Sequence, residues 1–345
     1  MEEGKLSTEL LKELLLLNGF NNKGVVIPAS VGIDAAVIRL SEAQNITRAF
    51  YEIDPSETCD LVVKSDPITF STNNPGQYAV DINSNDLACL GAVPFGLLAT
   101  LIFPSSISKE KIFEIQKQMH CAALEKKIAI LGGHTEISSS VNHPIISLHM
   151  FGFVPISFIP SRDLKVGDKL ILIGWIANEG TAILGDALNK TEKSIPISSD
   201  LIKSFETQLS IMNLALDLNK KIRPKIMHDP TEGGIMGAIS ELFSPFDEFS
   251  IKVFSQKLDF HIHSVTKQIC ETLEIDPLKL ISSGALLAII DQYQVEQFKL
   301  WSKSVSLPSS IIGEVQKGSQ SMLDNNKLDG PCPDEIIKGF QHLNE

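Results

Sequence analysis

Strand-like apolar runs alternate with helical patterns along almost the whole chain, and this alternation constrains the possible folds more than any other feature of the sequence. The first half contains strand-like runs at 61–70, 95–103, 128–131 and 144–155 and helical patterns at 77–92 and 108–127. The second half contains strand-like runs at 169–174, 284–290 and 310–315 and helical patterns at 178–188, 198–222, 263–273 and around 294–303. Regular alternation of this kind predicts an α/β or α+β fold.

The length of the chain and one polar stretch predict two domains. The chain has 345 residues, of which 43% are hydrophobic, so it can bury a large core. The stretch at 159–169, IPSRDLKVGDK, is polar and rich in turn-forming residues. We therefore expect one α/β domain at 1–158 and a second at 159–345.

Charge and cysteine content exclude several classes of protein. A formal net charge of −12 argues against nucleic acid as a partner, because the phosphate backbone is bound by Lys and Arg. Five widely spaced cysteines form neither a disulfide framework nor a zinc site, which fits a cytoplasmic protein. The N-terminal stretch predicts a short amphipathic helix capped by Ser7 or Thr8, and we expect no membrane association.

Acidic residues and glycines occur together where predicted strands or loops meet helices. Asp34, Asp66 and Asp86 each lie in an apolar setting, where a lone carboxylate is costly unless it is paired or bound to a metal. Glycine pairs occur in GGHTE (132–136) and HDPTEGG (228–234). Glycine-rich backbone can bind phosphates, and carboxylates can hold the Mg²⁺ that neutralises them. The combination indicates a nucleoside triphosphate with Mg²⁺.

Each of these residues also has a structural interpretation. Asp34 could cap a turn, Asp66 before Pro67 could open one, and Asp86 could lie on a helix surface. GGHTE could be a glycine turn, and HDPTEGG could be a helix start capped by Thr231. Neither a P-loop motif nor a dinucleotide fingerprint occurs in the sequence, which excludes two common nucleotide folds.

The order of five motifs resembles that of the AIR synthase (PurM-like) superfamily. This group includes aminoimidazole ribonucleotide synthetase, thiamine monophosphate kinase, selenophosphate synthetase and the hydrogenase maturation factor HypE. The similar motifs are GIDAAVI, SDPIT, NSNDLACLGAVP, LGGHTE and HDPTEGG, which begin at 32, 65, 83, 131 and 228. Four phrases, two of which contain motifs already named, resemble the HypE-like branch of AIR synthase related proteins most closely: SDPITFSTNNPGQYAV, EGTAIL, HDPTEGG and DPLKLISSGALLAI.

The resemblance implies a homodimer in which the first domains build a shared β-barrel, with ATP and Mg²⁺ bound near the dimer interface. It implies that Asp34, Asp66 and Asp86 are metal ligands. It also implies a nucleotide and phosphate site formed by Gly32, Asn85, Gly132, Gly133, His134, Thr135, Asp229, Thr231, Glu232, Gly233 and Gly234. We expect Asp66, His134 and His228 to take part in the chemistry.

Two positions depart from the pattern of the superfamily. Ile33 precedes Asp34 where many relatives carry an acid, so we expect a weaker or single Mg²⁺ site. HypE ends in a cysteine whose thiol accepts a carbamoyl group, whereas this sequence ends GFQHLNE and Cys332 lies inside GPCPDE. We therefore do not expect carbamoyl dehydration through a C-terminal thiol.

The resemblance leaves three functional hypotheses open. The first is an ATP- and Mg²⁺-dependent enzyme that activates an amide- or carboxylate-like oxygen of a small-molecule or protein-bound acceptor by phosphorylation. The second is a nucleotide-binding maturation or regulatory protein without rapid turnover. The third is a small-molecule kinase of the thiamine monophosphate kinase type.

Overall fold

The computed structural model describes residues 3–33, 35–69, 72–191, 195, 197–328 and 333–344. The chain forms two compact units, one at 1–159 and the other at 160–345. Both units combine a mixed sheet with helices, so the predicted two-domain α/β architecture is confirmed.

The first unit is built on a five-stranded sheet with the order β1-β6-β5-β7-β4. Its strands are β1 (Gly4–Lys5), β4 (Cys59–Ile68), β5 (Val93–Phe103), β6 (Ala129–Ile137) and β7 (Ile145–Pro155), and β2 (Val25–Ile27) pairs separately with β3 (Val37–Ile38). Its helices are α1 (Thr8–Leu14), α2 (Leu40–Tyr51), α3 (Pro75–Cys89) and α4 (Lys109–Glu125). Neighbouring strands of the large sheet are antiparallel except for β5 and β6, which are parallel.

Strand β4 lies at the edge of this sheet and has two different faces. Leu61 and Val63 point to one side and are 54% and 62% exposed. Lys64 and Asp66 alternate with them and therefore lie on the other side, which faces α3. Helix α3 is buried on nearly all sides between the sheet and α4.

The second unit is built on a seven-stranded sheet with the order β14-β13-β10-β12-β8-β11-β9. Its strands are β8 (Lys169–Ile173), β9 (Ile226–His228), β10 (Phe249–Val253), β11 (Leu286–Ile290), β12 (Ser309–Lys317), β13 (Met322–Leu323) and β14 (Asn326–Lys327). Its helices are α5 (Asn178–Leu188), α6 (Ser199–Glu206), α7 (Met212–Ile222), α8 (Gly234–Phe243), α9 (Ser255–Asp259), α10 (Ser264–Thr272), α11 (Val295–Ser302) and α12 (Glu335–Asn344). The apolar side chains of β8 and β11 form its centre.

The single long helix predicted at 198–222 is wrong, because the structure has α6 and α7 with a break between them. The side-chain amide of Asn178 donates to the carbonyl oxygens of Phe205 and Gln208, at 3.0 and 3.3 Å. These carbonyls lie at the end of α6, where the helix leaves its last acceptors unsatisfied. A distant side chain thus stabilises the break, and periodicity within 198–222 carries no sign of it.

The N-terminal helix begins as predicted, since Ser7 is its N-cap and accepts from the amide of Leu10. Across the described ranges, no helix combines the length and apolar character needed to cross a membrane.

A buried ion pair joins α3 to the end of α4. Lys126 Nζ lies 2.5 Å from Asp81 Oδ1, and the two side chains are only 7% and 2% exposed. Burial raises the pKa of Asp81, and Lys126 offsets part of that rise. Each of the two charged side chains is therefore tolerated in this buried position only while the other is present.

We expect Lys126→Met to lower the free energy of unfolding by about 3 kcal/mol, because it leaves Asp81 buried without its cation. The double variant Asp81→Asn/Lys126→Met should recover part of that loss. Urea denaturation measures both, with Lys111→Met as the control, because Lys111 forms an exposed pair with Glu114. Equal losses in the Lys126 and Lys111 variants would contradict the assignment.

Candidate functional site

Two carboxylates of the first unit share one lysine. Lys64 Nζ lies 2.8 Å from Asp86 Oδ2 and 3.4 Å from Asp66 Oδ2. Lys64 and Asp66 come from one face of β4, and Asp86 comes from α3. The side-chain amide of Asn83 donates to the carbonyl oxygen of Asp66 at 3.3 Å and ties the helix to the strand. We call Lys64, Asp66 and Asp86 the cation centre.

Partial burial shapes the electrostatics of the cation centre. Burial raises the pKa of Asp66, with a further rise from Asp86, and Lys64 opposes both effects. Burial also works against protonation of Lys64, but the two carboxylates outweigh it and raise its pKa. The site therefore favours a bound positive charge.

The structure brings together two of the three predicted metal ligands. Asp66 and Asp86 meet at Lys64, whereas Asp34 lies outside the described residues. Within the described part of the chain, no three His, Cys, Asp or Glu side chains are grouped to hold a metal. Asp66 lies inside β4, so its interpretation as a turn opener is wrong, and the ion pair of Asp86 excludes a solvated helix surface.

The glycine pair of GGHTE lies within a strand, so the alternative of a glycine turn is wrong. Gly132 and Gly133 belong to β6 and have φ values of +146° and +145°, which side chains rarely adopt. A Cβ on Gly133 would lie 1.8 Å from the carbonyl oxygen of Ala99 on β5. Glycine at this position is therefore required for the pairing of β5 with β6.

A cavity of about 560 Å³ lies beside the glycine pair. Its lining includes five residues predicted to bind nucleotide, Gly32, Gly132, Gly133, His134 and Thr135. Side chains of α1 line the same cavity. His134 Nε2 lies 3.1 Å from Glu136 Oε2 on the same face of β6. Asn85 does not line this cavity and is fully buried within α3.

Strand register places Asp66 and the glycine pair at the same level of the sheet. Asp66 pairs with Leu148 on β7, Leu148 pairs with Ala99 on β5, and Ala99 pairs with Gly133 on β6. Three inter-strand spacings separate Asp66 from Gly133, which amounts to roughly 14 Å. An extended triphosphate with its ribose is of comparable length.

The HDPTEGG motif of the second unit forms the connection between β9 and α8. Asp229 is buried, Thr231 is half-buried and Glu232 is exposed. Gly233 and Gly234 have φ values of +75° and +63°. Gly233 is the N-cap of α8, and its amide donates to Asp334 Oδ2 at 2.7 Å. The predicted cap by Thr231 is therefore wrong.

His228 ends β9 and pairs with a carboxylate of α8. Its Nε2 lies 3.2 Å from Glu241 Oε2, and this hydrogen bond lowers the pKa of Glu241. The predicted phosphate-facing residues Asp229, Thr231, Glu232, Gly233 and Gly234 thus share one connection with His228 at its start.

Glu179 is a buried acid that the sequence analysis missed. It lies in the first turn of α5 and is 0% exposed. Among the described residues its carboxylate oxygens have no well-aligned hydrogen bond, and Ser283 supplies the donors that act on them. Burial raises its pKa to about 7, Ser283 partly opposes this, and the charges of Asp334 and Glu232 add to it. The EGTAIL phrase contained the residue, but nothing in it indicated burial.

Lys64 and Asp334 were also missed, for different reasons. Lys64 could have been found, because it lies two residues before Asp66 on a predicted strand and must share its face. Asp334 accepts from the amides of Gly233 and Ile281, which are distant in sequence, and from the nearby amide of Ile336. The two distant contacts exist only in the folded chain. Cys332, two residues earlier, lies outside the described residues.

We expect Gly133→Ala to lower the free energy of unfolding by more than about 2 kcal/mol, because the added methyl overlaps the backbone of β5. Gly132→Ala is the matched control, since its nearest neighbours would be 3.7 Å away and only backbone strain of about 1 kcal/mol remains. Urea denaturation compares the two. A Gly133 variant as stable as the Gly132 variant would contradict the strand pairing.

The free energy of unfolding should fall as pH rises from about 5 to about 7 and then level off, because Glu179 takes up a proton on folding in this range. The total change is of order 3 kcal/mol. Denaturation at several pH values should show a smaller slope in Glu179→Gln. Glu9→Gln, at an exposed position in α1, is the control. Identical slopes in wild type and Glu179→Gln would rule out a neutral buried acid.

Comparisons with known proteins agree with this architecture. Residues 32–154 match the N-terminal domain of AIR synthase related proteins, and residues 165–324 match the C-terminal domain. A hydrogenase expression/formation protein of Methanocaldococcus jannaschii is 27% identical over 301 residues, covering 85% of this chain and 82% of that protein.

Two further proteins extend the comparison. The carbamoyl dehydratase HypE of Bradyrhizobium diazoefficiens is 26% identical over 241 residues, covering 65% of this chain but only 63% of that relative. A crystal structure of the hydrogenase maturation protein HypE in complex with ATP has the same fold, with a TM-score of 0.74, 20% identity and 97% of each chain covered. The chain therefore belongs to the AIR synthase related protein family, on its HypE-like branch.

Proposed function

We propose that the chain is a homodimeric, ATP- and Mg²⁺-dependent enzyme that phosphorylates a carbamoyl-, amide- or carboxylate-like oxygen of its acceptor. One observation carries this proposal. The cation centre of Asp66, Asp86 and Lys64 lies at the same sheet level as a glycine pair bordering a cavity. The similarity to a HypE solved with ATP and to a carbamoyl dehydratase supports the nucleotide and the acceptor class.

The cation centre fits a divalent metal. Asp66 and Asp86 already direct oxygens at one shared cation, and carboxylate oxygen is the ligand that Mg²⁺ prefers. When bound, Mg²⁺ would supply neutralisation of phosphate charge. The protein's own part is to hold both carboxylates in place, through the β4 backbone for Asp66 and through α3 for Asp86. Asp34 would be a further ligand by resemblance.

The glycine pair and the cavity would orient the nucleotide. Gly132 and Gly133 present bare backbone to the cavity, because neither carries a side chain that would keep a ligand away. Gly32 and Thr135, which the resemblance also assigns to the nucleotide site, line the same cavity. Fixing the triphosphate in one orientation is the main contribution a protein makes to phosphoryl transfer.

His134 is suited to move the acceptor's proton. Its ring nitrogen Nε2 is paired with Glu136, which leaves the other nitrogen to exchange a proton at the exposed edge of the site. In the second unit, His228 and Glu241 form a similar pair beside the HDPTEGG connection, which would contact phosphate or acceptor.

An exposed apolar row on β4 supports the homodimer. Leu61 and Val63 lie on one face of this strand, and an exposed apolar patch of this kind is typical of an interaction surface. The dimer and a cytoplasmic location remain part of the proposal.

Thermal unfolding with and without ATP and Mg²⁺ tests the nucleotide site. We expect saturating ligand to raise the wild-type Tm by about 5 °C. Asp66→Asn and Asp86→Asn should lose most of that rise. Asp60→Asn should keep it, because Asp60 lies on the same strand but is exposed outside the cation centre.

Release of ADP or phosphate is the second measurement. An enzyme should turn over ATP once a carbamoyl-type acceptor such as carbamoyl phosphate is added. A rise in Tm without turnover for any acceptor would favour the binding-protein hypothesis. No rise in Tm in folded wild type would overturn the proposal.

A further inference from the structure

Lys64 occupies the position at which the two carboxylates would hold a metal. Its ammonium is within 2.8 Å of Asp86 and 3.4 Å of Asp66. Within the described part of the chain, Asp66 and Asp86 form ion pairs with Lys64 alone. An ammonium and a divalent cation in contact with the same pair of oxygens would repel each other strongly, so the two cations compete for this position.

We propose that Lys64 is an internal, exchangeable counter-ion: it neutralises Asp66 and Asp86 in the free protein and moves its ammonium to the phosphates when metal and nucleotide bind. The nucleotide half of this inference rests on the proposed function. The metal half rests only on the cation centre.

The geometry of Lys64 allows such a movement. Its side chain is 35% exposed, so the long aliphatic stem is not fixed by packing on all sides. By contrast, the side chain of Lys126, whose ammonium pairs with Asp81, is 7% exposed and forms a permanent ion pair. Lys64 and Lys126 thus differ in the exposure of their side chains, and this difference separates an exchangeable cation from a structural one.

The position of Lys64 on β4 places it within the proposed triphosphate site. Lys64 pairs with Met150 on β7, and Met150 pairs with Leu97 on β5, one position before the level of Gly132. A lysine ammonium is a common partner of phosphate oxygens. Transfer from carboxylate to phosphate keeps the ammonium neutralised throughout, so no buried charge is left unpaired.

Two binding measurements with opposite expected signs test the inference. Binding of Mn²⁺ alone, followed by the loss of its free electron paramagnetic resonance signal, should be roughly five- to tenfold tighter in Lys64→Met than in wild type. Binding of a non-hydrolysable ATP analogue at saturating Mn²⁺ should be weaker by a similar factor. A merely structural lysine would not produce opposite changes.

Three variants make the result specific. Lys64→Arg keeps the charge and should keep the wild-type affinity for Mn²⁺. Lys111→Met removes an exposed lysine of the same unit and should change neither affinity. If Lys64→Met fails to fold, Lys64→Gln carries the same test.

Unchanged Mn²⁺ affinity in the folded Lys64 variant would overturn the inference while leaving the proposed function intact. Failure of wild type to bind the ATP analogue, with tighter Mn²⁺ binding in Lys64→Met, would instead overturn the proposed function and support the metal half.

Discussion

Charge neutrality around Asp66 and Asp86 is the constraint on which the first unit's candidate site depends. Two partly buried carboxylates directed at one point repel each other and require a cation. The fold supplies Lys64 from the same strand face, so the site is stable before any ligand arrives. In the proposed function, the affinity of this site for a metal would be a difference between two cations, so a modest affinity for free Mg²⁺ would follow from that competition. A nucleotide that accepts the displaced ammonium would bind together with the metal.

In the second unit, partly buried Asp334 and fully buried Glu179 are accommodated in two other ways. Asp334 is stabilised by three backbone amides, which hold together the HDPTEGG connection, the segment at Ile281 and the start of α12. Ser283 alone supplies donors that act on Glu179, and burial keeps this carboxyl group neutral below a pKa of about 7. The three donors to Asp334 stabilise the loops from which a phosphate or acceptor site would be built. The glycines at 233 and 234 are required there because both have positive φ.

The sequence was informative wherever local periodicity or a residue's own chemistry decided the outcome. Most strands and helices lie within a few residues of their predicted positions, and Ser7 caps α1 as expected. Long-range contacts decided the failures: Asn178 stabilises the break between α6 and α7, and pairing with β5 keeps GGHTE extended as a strand. Motif order identified the family, while the burial of Glu179 and the three donors to Asp334 could be seen only in the folded chain.

The central claim is that Asp66 and Asp86 hold the metal of a bound nucleotide. A crystal structure with Mn²⁺ and a non-hydrolysable ATP analogue tests it most directly, because anomalous scattering distinguishes the metal from a water oxygen or an ammonium nitrogen. The account predicts a peak in contact with both carboxylates, phosphate density extending toward Gly133, and the Lys64 ammonium on a phosphate oxygen. A nucleotide bound elsewhere, with Lys64 still between the two carboxylates, would contradict it.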